Sequence, residues 1–180
     1  MGRSRTIDRE KVLDVAEEIV RRGGATALTF ENVAGAAGIT KGGVQYCFGD
    51  KDGLVAAMID RWVAAFDAEV ERNSTAGGGT LDMTRGYVIA SGRFDATTQA
   101  KMVGMLVTLL QTNKHLPNIR KWYAGWIGKF NTISELDRRA RTAFFAAEGA
   151  FFVRSLGLIE MDQTAWEAIF DDILEIISSE

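Results

Sequence analysis

TFENVAGAAGITKGGVQYCF, residues Thr29 to Phe48, decides the fold. Apolar or small residues fall at Val33, Ala34, Ala37, Ile39, Val44 and Cys47. Val33 and Ala37 are one helical turn apart and share a face. Gly38 interrupts the run where the backbone needs a positive φ, which glycine adopts without steric cost. Thr40 follows and caps a new helix with its hydroxyl. Ala34 is small where two steeply crossed helices must approach. Val44 and Cys47 close the second helix onto the first. Thr40, Lys41, Gly42, Gly43, Gln45 and Tyr46 then face outward. Hydroxyl, cation, bare backbone, amide and phenol suit the phosphate-lined major groove of DNA. The competing reading is an ordinary helical hairpin with a polar face.

The longer segment Leu28 to Leu54, LTFENVAGAAGITKGGVQYCFGDKDGL, resembles the DNA-binding signature of TetR-type transcriptional regulators. The resemblance is specific over roughly the first third of the chain. It departs from the pattern at Gly43, Gln45 and Cys47, where Ser or Thr, an aromatic and often His are usual. It implies an all-α chain, with a three-helix helix-turn-helix DNA-binding domain over 1–53. A helical ligand-binding and dimerisation domain is expected over 54–180. With Thr29 and Lys51, the expected DNA-contact set is Thr29, Thr40, Lys41, Gly42, Gly43, Gln45, Tyr46 and Lys51. Lys51 stands in the first turn of a fourth helix, whose N-terminus favours an anion. It is either a phosphate clamp or a surface lysine, and the resemblance favours the clamp.

Composition narrows the classes. The 180 residues are 47% hydrophobic and 25% charged, which fits a folded chain rather than a disordered one. A single proline favours long helices, and a single cysteine excludes an internal disulfide and fits a reducing cytoplasm. One histidine and one cysteine leave no dedicated zinc site, so neither metal nor cofactor is expected. No apolar run is long enough for a membrane span. The net charge is −3, but Arg3, Arg5, Arg9 and Lys11 gather at the start, while only acids follow Leu158. Such a distribution would orient an approach to DNA. Arg3 and Arg5 form either a phosphate-contacting arm or a solvated tail.

Along the chain, Asp8 caps a first helix that Gly23 and Gly24 stop, and Asp50 caps a long fourth helix. Leu54, Met58, Ile59, Trp62, Phe66 and Val70 share one face of the fourth helix, which makes it a lever between head and body. Asn73 to Thr80 reads as a linker. Further helices are expected at about 81–93, 96–113, 118–135, 138–156 and 162–178.

Large adaptable side chains crowd these later helices. The expected ligand-binding set is Tyr87, Met102, Met105, Leu109, Trp122, Trp126, Phe145 and Glu148, with plain core packing as the alternative for most. Glu148 lies among apolar neighbours and is costly to bury alone. It either meets a cationic ligand or pairs with Arg93 or Lys101. The expected dimer interface is Ala143, Ala147, Ala150, Trp166, Phe170, Ile173 and Ile177, in a two-fold four-helix bundle; the alternative is that this stripe covers the chain's own core.

These features imply a cytoplasmic, homodimeric, ligand-responsive regulator, a repressor, that binds a palindromic double-stranded operator and is released by a small apolar or amphipathic effector. The rival is a helical protein-interaction module without DNA binding. An enzyme is not expected, since no nucleophile–base pair or phosphate loop is present and His115 sits beside Leu116 and Pro117 in a loop. Cys47 is either a packing residue or an oxidation switch.

Overall fold

The computed structural model describes residues 7–95, 98–99, 102, 114–130 and 133–178. Among them are eight helices and no strand: α1 (Arg9–Ala27), α2 (Phe30–Ala37), α3 (Lys41–Phe48), α4 (Lys51–Arg72), α5 (Thr80–Gly92), α6 (Leu116–Ile127), α7 (Glu135–Ser155) and α8 (Gln163–Ser178). Most of the helix expected at 96–113 lies outside the described residues. The chain forms two compact units. Residues 7–62 with 102 and 114–116 belong to the first; residues 63–95, 98–99, 117–130 and 133–178 belong to the second.

In the first unit, the Asp8 carboxylate accepts from the Lys11 amide at 3.1 Å and starts α1. Gly24, at φ 69°, breaks the helix where the glycine pair predicts a stop, but a further turn carries helical structure on to Ala27. Val12, Leu13, Ala16 and Val20 from α1 pack with Val33, Val44, Phe48, Leu54 and Met58 into one core. About 25 cal/mol for each Å² of apolar surface removed from water holds such a cluster together. A charged clasp adds specificity. Glu17, 7% exposed on α1, accepts from the Arg61 guanidinium and from Trp62 Nε1 at 2.9 Å. Arg61 also reaches Asp14 at 2.8 Å and Glu10 at 3.3 Å. Periodicity alone gives no hint of this clasp, because its partners lie far apart in sequence.

In the second unit, α5 packs against α7 and α8, and α7 against α8. The linker expected at Asn73 to Thr80 is a turn pinned by Asp82, whose carboxylate accepts from the Thr75 amide at 2.5 Å. A Cβ on Gly92 would press into the Phe170 ring, so this glycine lets α5 and α8 touch. There Trp166 Nε1 donates to the Gly92 carbonyl at 2.7 Å. The helix expected at 118–135 ends at Ile127, because Gly128, Lys129 and Phe130 tighten into a turn. Pro117 sits in its first turn, where the missing N–H costs nothing. No helix among the described residues is long and apolar enough to cross a membrane.

Candidate nucleic-acid interface and aromatic cluster

The α2–α3 pair is shaped by three short devices. Thr29 Oγ1 accepts from the Asn32 amide at 3.2 Å and caps α2. Gly38 closes α2 in the left-handed region, at φ 68° and ψ 36°. Thr40 Oγ1 accepts from the Gly43 amide at 3.0 Å and caps α3. Val44 and Phe48 are the residues of α3 that enter the core. The expected pairing of Val44 with Cys47 is thereby corrected. Cys47 is half-buried, and Phe48, one full turn after Val44, takes the inner place, with the Arg9 guanidinium 5.0 Å from its ring centre.

The outward set separates into two groups. Lys41, Gly42, Gln45 and Tyr46 stand in solvent, Tyr46 at 88% exposure. The Lys41 ammonium meets Glu31 of α2 at 2.5 Å, an exposed pair that phosphate competes with easily. A Cβ on Gly42 would find its nearest neighbour at 3.9 Å, so the backbone there is open to a close approach. Gly43 differs, since a Cβ would lie 2.9 Å from Ile7 Cδ1. The side of α3 at Gly43 is turned to Ile7 and Ile39, not fully outward. Thr29 and Thr40 spend their side-chain oxygens on caps.

At the junction below α3 the expected Asp50 cap forms, and the close approach at Gly53 is what the sequence reading missed. Gly49 has φ 75°, and Asp50 Oδ1 accepts from the Gly53 amide at 2.8 Å to start α4. A Cβ on Gly53 would overlap the Phe48 carbonyl oxygen. The signal was the spacing of Asp50 and Gly53. Lys51 Nζ donates to the Ala25 carbonyl at 3.2 Å, anchoring the start of α4 to the end of α1. Its two remaining protons are available to a phosphate.

In the second unit the aromatic side chains converge on Tyr87, which is 1% exposed. Its ring centre lies 4.7 Å from those of Trp126 and Phe144 and 5.0 Å from that of Phe66. The Tyr87 hydroxyl donates to one oxygen of Glu148 and the Tyr123 hydroxyl donates to the other. Burial pushes the Glu148 carboxyl above its ordinary 4.5, against the opposing pull of the two phenols. Burial also raises both phenols, aided by the carboxylate, so their protons stay in place. The pairing expected with Arg93 is absent: Arg93 turns to Glu69 at 3.1 Å. Lys101 lies outside the described residues.

Trp122 and Trp126 also line an open groove of about 500 Å³, with Val70, Met83 and Gly125 among its other walls. Its lining also holds two acids, Asp67 and Glu71, and two bases, Lys121 and Lys129. Trp122 Nε1 donates to Asp67 at 3.0 Å. Thus Tyr87, Trp122, Trp126 and Glu148 come together. Phe145 does not join the cluster's interior, being 54% exposed, though its ring touches Phe144. Met102 falls in the first unit, and Met105 and Leu109 lie outside the described residues.

Most of the expected dimer residues lie inside the chain. Ala143, Ala147, Trp166, Phe170, Ile173 and Ile177 are buried within the chain itself. Ala140, Ala143 and Ala147 are small, which lets neighbouring helices approach α7 closely. Ala150 is half-buried. The opposite face of α7 carries Thr142, Phe145 and Gly149 in solvent and Phe152 half-buried, at alternating spacings of three and four, and the exposed Leu156 that caps the helix follows four residues on. Leu158 and Ile159 extend this apolar surface.

Residues 12–58 match the family model described as bacterial regulatory proteins, tetR family. Residues 82–178 match the one described as tetracyclin repressor-like, C-terminal domain. Among curated proteins none matches the chain in sequence. A Rhodococcus sp. protein assigned to the TetR-family transcriptional regulators is similar in fold, with a TM-score of 0.74 at 15% identity over 94% of this chain and 96% of that one. SmeT, the repressor of the Stenotrophomonas maltophilia multidrug efflux pump SmeDEF, gives 0.66 at 21% identity over 96% and 89%. The fatty acid degradation regulator FadR from Bacillus halodurans gives 0.62 at 10% identity over 96% and 100%. At these identities the likeness is one of fold.

Proposed function

Because this chain belongs to the TetR family of DNA-binding transcriptional regulators, we propose that it is a cytoplasmic homodimeric repressor. Two copies hold a palindromic operator, and a small apolar or amphipathic effector in each second unit releases it. The observation that carries the reading is the presented face of α3, with Lys41, Gln45 and Tyr46 in solvent and no Cβ at Gly42. Gln45 reads a base edge, and an amide pairs best with adenine. Lys41, Lys51 and Tyr46 contact phosphate and set the register. Thr29, Thr40 and Gly43 support the pose of the helix.

Two-fold DNA requires a two-fold protein, with reading helices about 34–36 Å apart. The surface that suits a second copy is the outer face of α7 at Phe145, Gly149, Phe152 and Leu156, continued by Leu158 and Ile159. A knobs-into-holes seam needs this alternation of three and four. The effector binds at the Trp122–Trp126 groove and the Tyr87–Glu148 cluster behind it. It acts by favouring the arrangement of α4 in which the two heads no longer match the operator. A ten-fold loss of DNA affinity needs about 1.4 kcal/mol of such preference.

Selection of bound fragments from a random DNA pool tests the reading. It should recover an inverted repeat, and Gln45→Ala should change the preferred base in each half. Tyr46→Phe and Lys51→Ala should weaken binding to every sequence alike. Recovery of no repeat, or a monomer at micromolar concentration in sedimentation equilibrium, would overturn it.

A further inference from the structure

We propose that the effector is an organic cation, a lipophilic ammonium or phosphonium-type ion, chosen by the Glu148 carboxylate within its shell of aromatic rings. The inference rests on the second unit being the effector site, as proposed above.

Charge among the described residues around Glu148 is unbalanced. Its two oxygens accept from Tyr87 and Tyr123, which come from α5 and α6, while Glu148 itself is on α7. Phenols solvate a carboxylate but do not neutralise it. No cation among the described residues reaches it, because Arg93 is engaged with Glu69. The surrounding rings do not offset the charge either. Trp126 and Phe144 pack on Tyr87 and Trp122 packs on Tyr123, and these rings bring no positive charge, while an aromatic face attracts a cation. Among the described residues the node therefore lacks one positive charge, and a ring face accessible to a ligand favours the same sign.

Access and size point the same way. The groove walled by Trp122 and Trp126 has a volume of about 500 Å³, within the range of sites for drug-sized molecules. Trp126 packs edge-on against Tyr87, so the groove wall and the Glu148 shell share a layer of rings. In the lining, Asp67 and Glu71 balance Lys121 and Lys129. The lining thus has little net preference for either sign, and selection falls to Glu148 behind it. The ligand's apolar rings lie along the indoles, and its charged centre is drawn toward Tyr87 and Glu148.

Tetraphenylphosphonium and tetraphenylborate test this directly, since they share size and shape and differ in the sign of charge. Binding to the full chain is read by tryptophan fluorescence. The wild type should bind the phosphonium at least about ten-fold more tightly than the borate. Glu148→Gln should remove most of that preference, and Glu148→Asp should restore part of it. Gly125→Leu, whose side chain enters open space beside the groove, should weaken both ions. Equal affinities for the two ions, or a preference that survives in a folded Glu148→Gln protein, would overturn the inference. If the glutamine variant fails to fold, the comparison of the two ions on the wild type decides alone. Release of the selected operator separates this inference from the broader reading. If the borate binds and releases DNA while the phosphonium does neither, the effector site stands and its cation preference falls. If the phosphonium binds with the expected preference and DNA is never released, the cation site stands and the effector role falls.

Discussion

The reading head and the aromatic node solve the same problem by opposite means. Around α3, each cap closes over three residues, Thr29 with Asn32, Thr40 with Gly43 and Asp50 with Gly53. At the node, Tyr87 and Glu148 are 61 positions apart, and Tyr123 and Glu148 are 25 apart. The head is positioned by backbone conformation and short side chains that bind their own neighbourhood. The node is positioned by long side chains that meet only after the helices have packed. A local device fails locally, whereas a node joining three helices loosens all of them together.

The contrast breaks most severely at Gly53. Gly53→Ala should cost about 3 kcal/mol, as overpacking against backbone does, and should abolish DNA binding. Hydrogen exchange should accelerate across residues 30–48 and stay unchanged across α5. Acceleration in both places would show that the two regions are not independent. Tyr87→Phe should be the next largest, at about 2 kcal/mol for a charge left with one donor, read by urea unfolding at pH 7. The sign follows from Glu148, whose carboxyl is raised above 4.5 when folded. Its contribution to stability is present below 4.5 and is lost as the pH rises through the folded value. Removing a phenol raises that value further, so the penalty should be smaller at pH 4 than at pH 7. A pH-independent penalty would reduce Tyr87 to packing alone.

Thr40→Ala should cost about 1 kcal/mol and confine its exchange signature to α3, with Thr40→Ser restoring most of it. The smallest effect should come from Glu18. Hydrogen bonding to Arg21, then to Arg22, holds its carboxyl at about 2, although the group is partly open to water. A lowered value stabilises the fold above 4.5, and that contribution fades as the pH falls toward 2. Water screens the group, so Glu18→Gln should leave the melting temperature at pH 7 unchanged. A clear drop there would mean that exposed pairs on α1 matter more than their setting implies.

What sequence reveals follows the same division. Thr29, Gly38, Thr40 and Asp50 were legible because each acts on the backbone within one turn of itself. Val44 was legible by its pattern, but Cys47 and Phe48 both follow it at helical spacing, and only the shape of the core selects Phe48. Gly43 read as outward because nothing nearby in sequence announces that Ile7 packs against it. Ala143, Ala147, Trp166, Phe170, Ile173 and Ile177 formed a stripe that names a buried face without naming what buries it. The structure buries them in the chain's own core and leaves Phe145, Phe152 and Leu156 on the other side of α7. Glu17 was invisible for the same reason as the node, with Arg61 and Trp62 more than forty positions away.

The tight elbow between α3 and α4 also bears on how such a protein changes over generations. At position 53 the Phe48 carbonyl leaves room for hydrogen alone, so mutation has a single tolerable letter there. Gln45 and Tyr46 stand in open water, where almost any letter is sterically acceptable. Lineages descended from this chain are therefore free to rewrite the words they read while inheriting, unaltered, the angle at which the page is held.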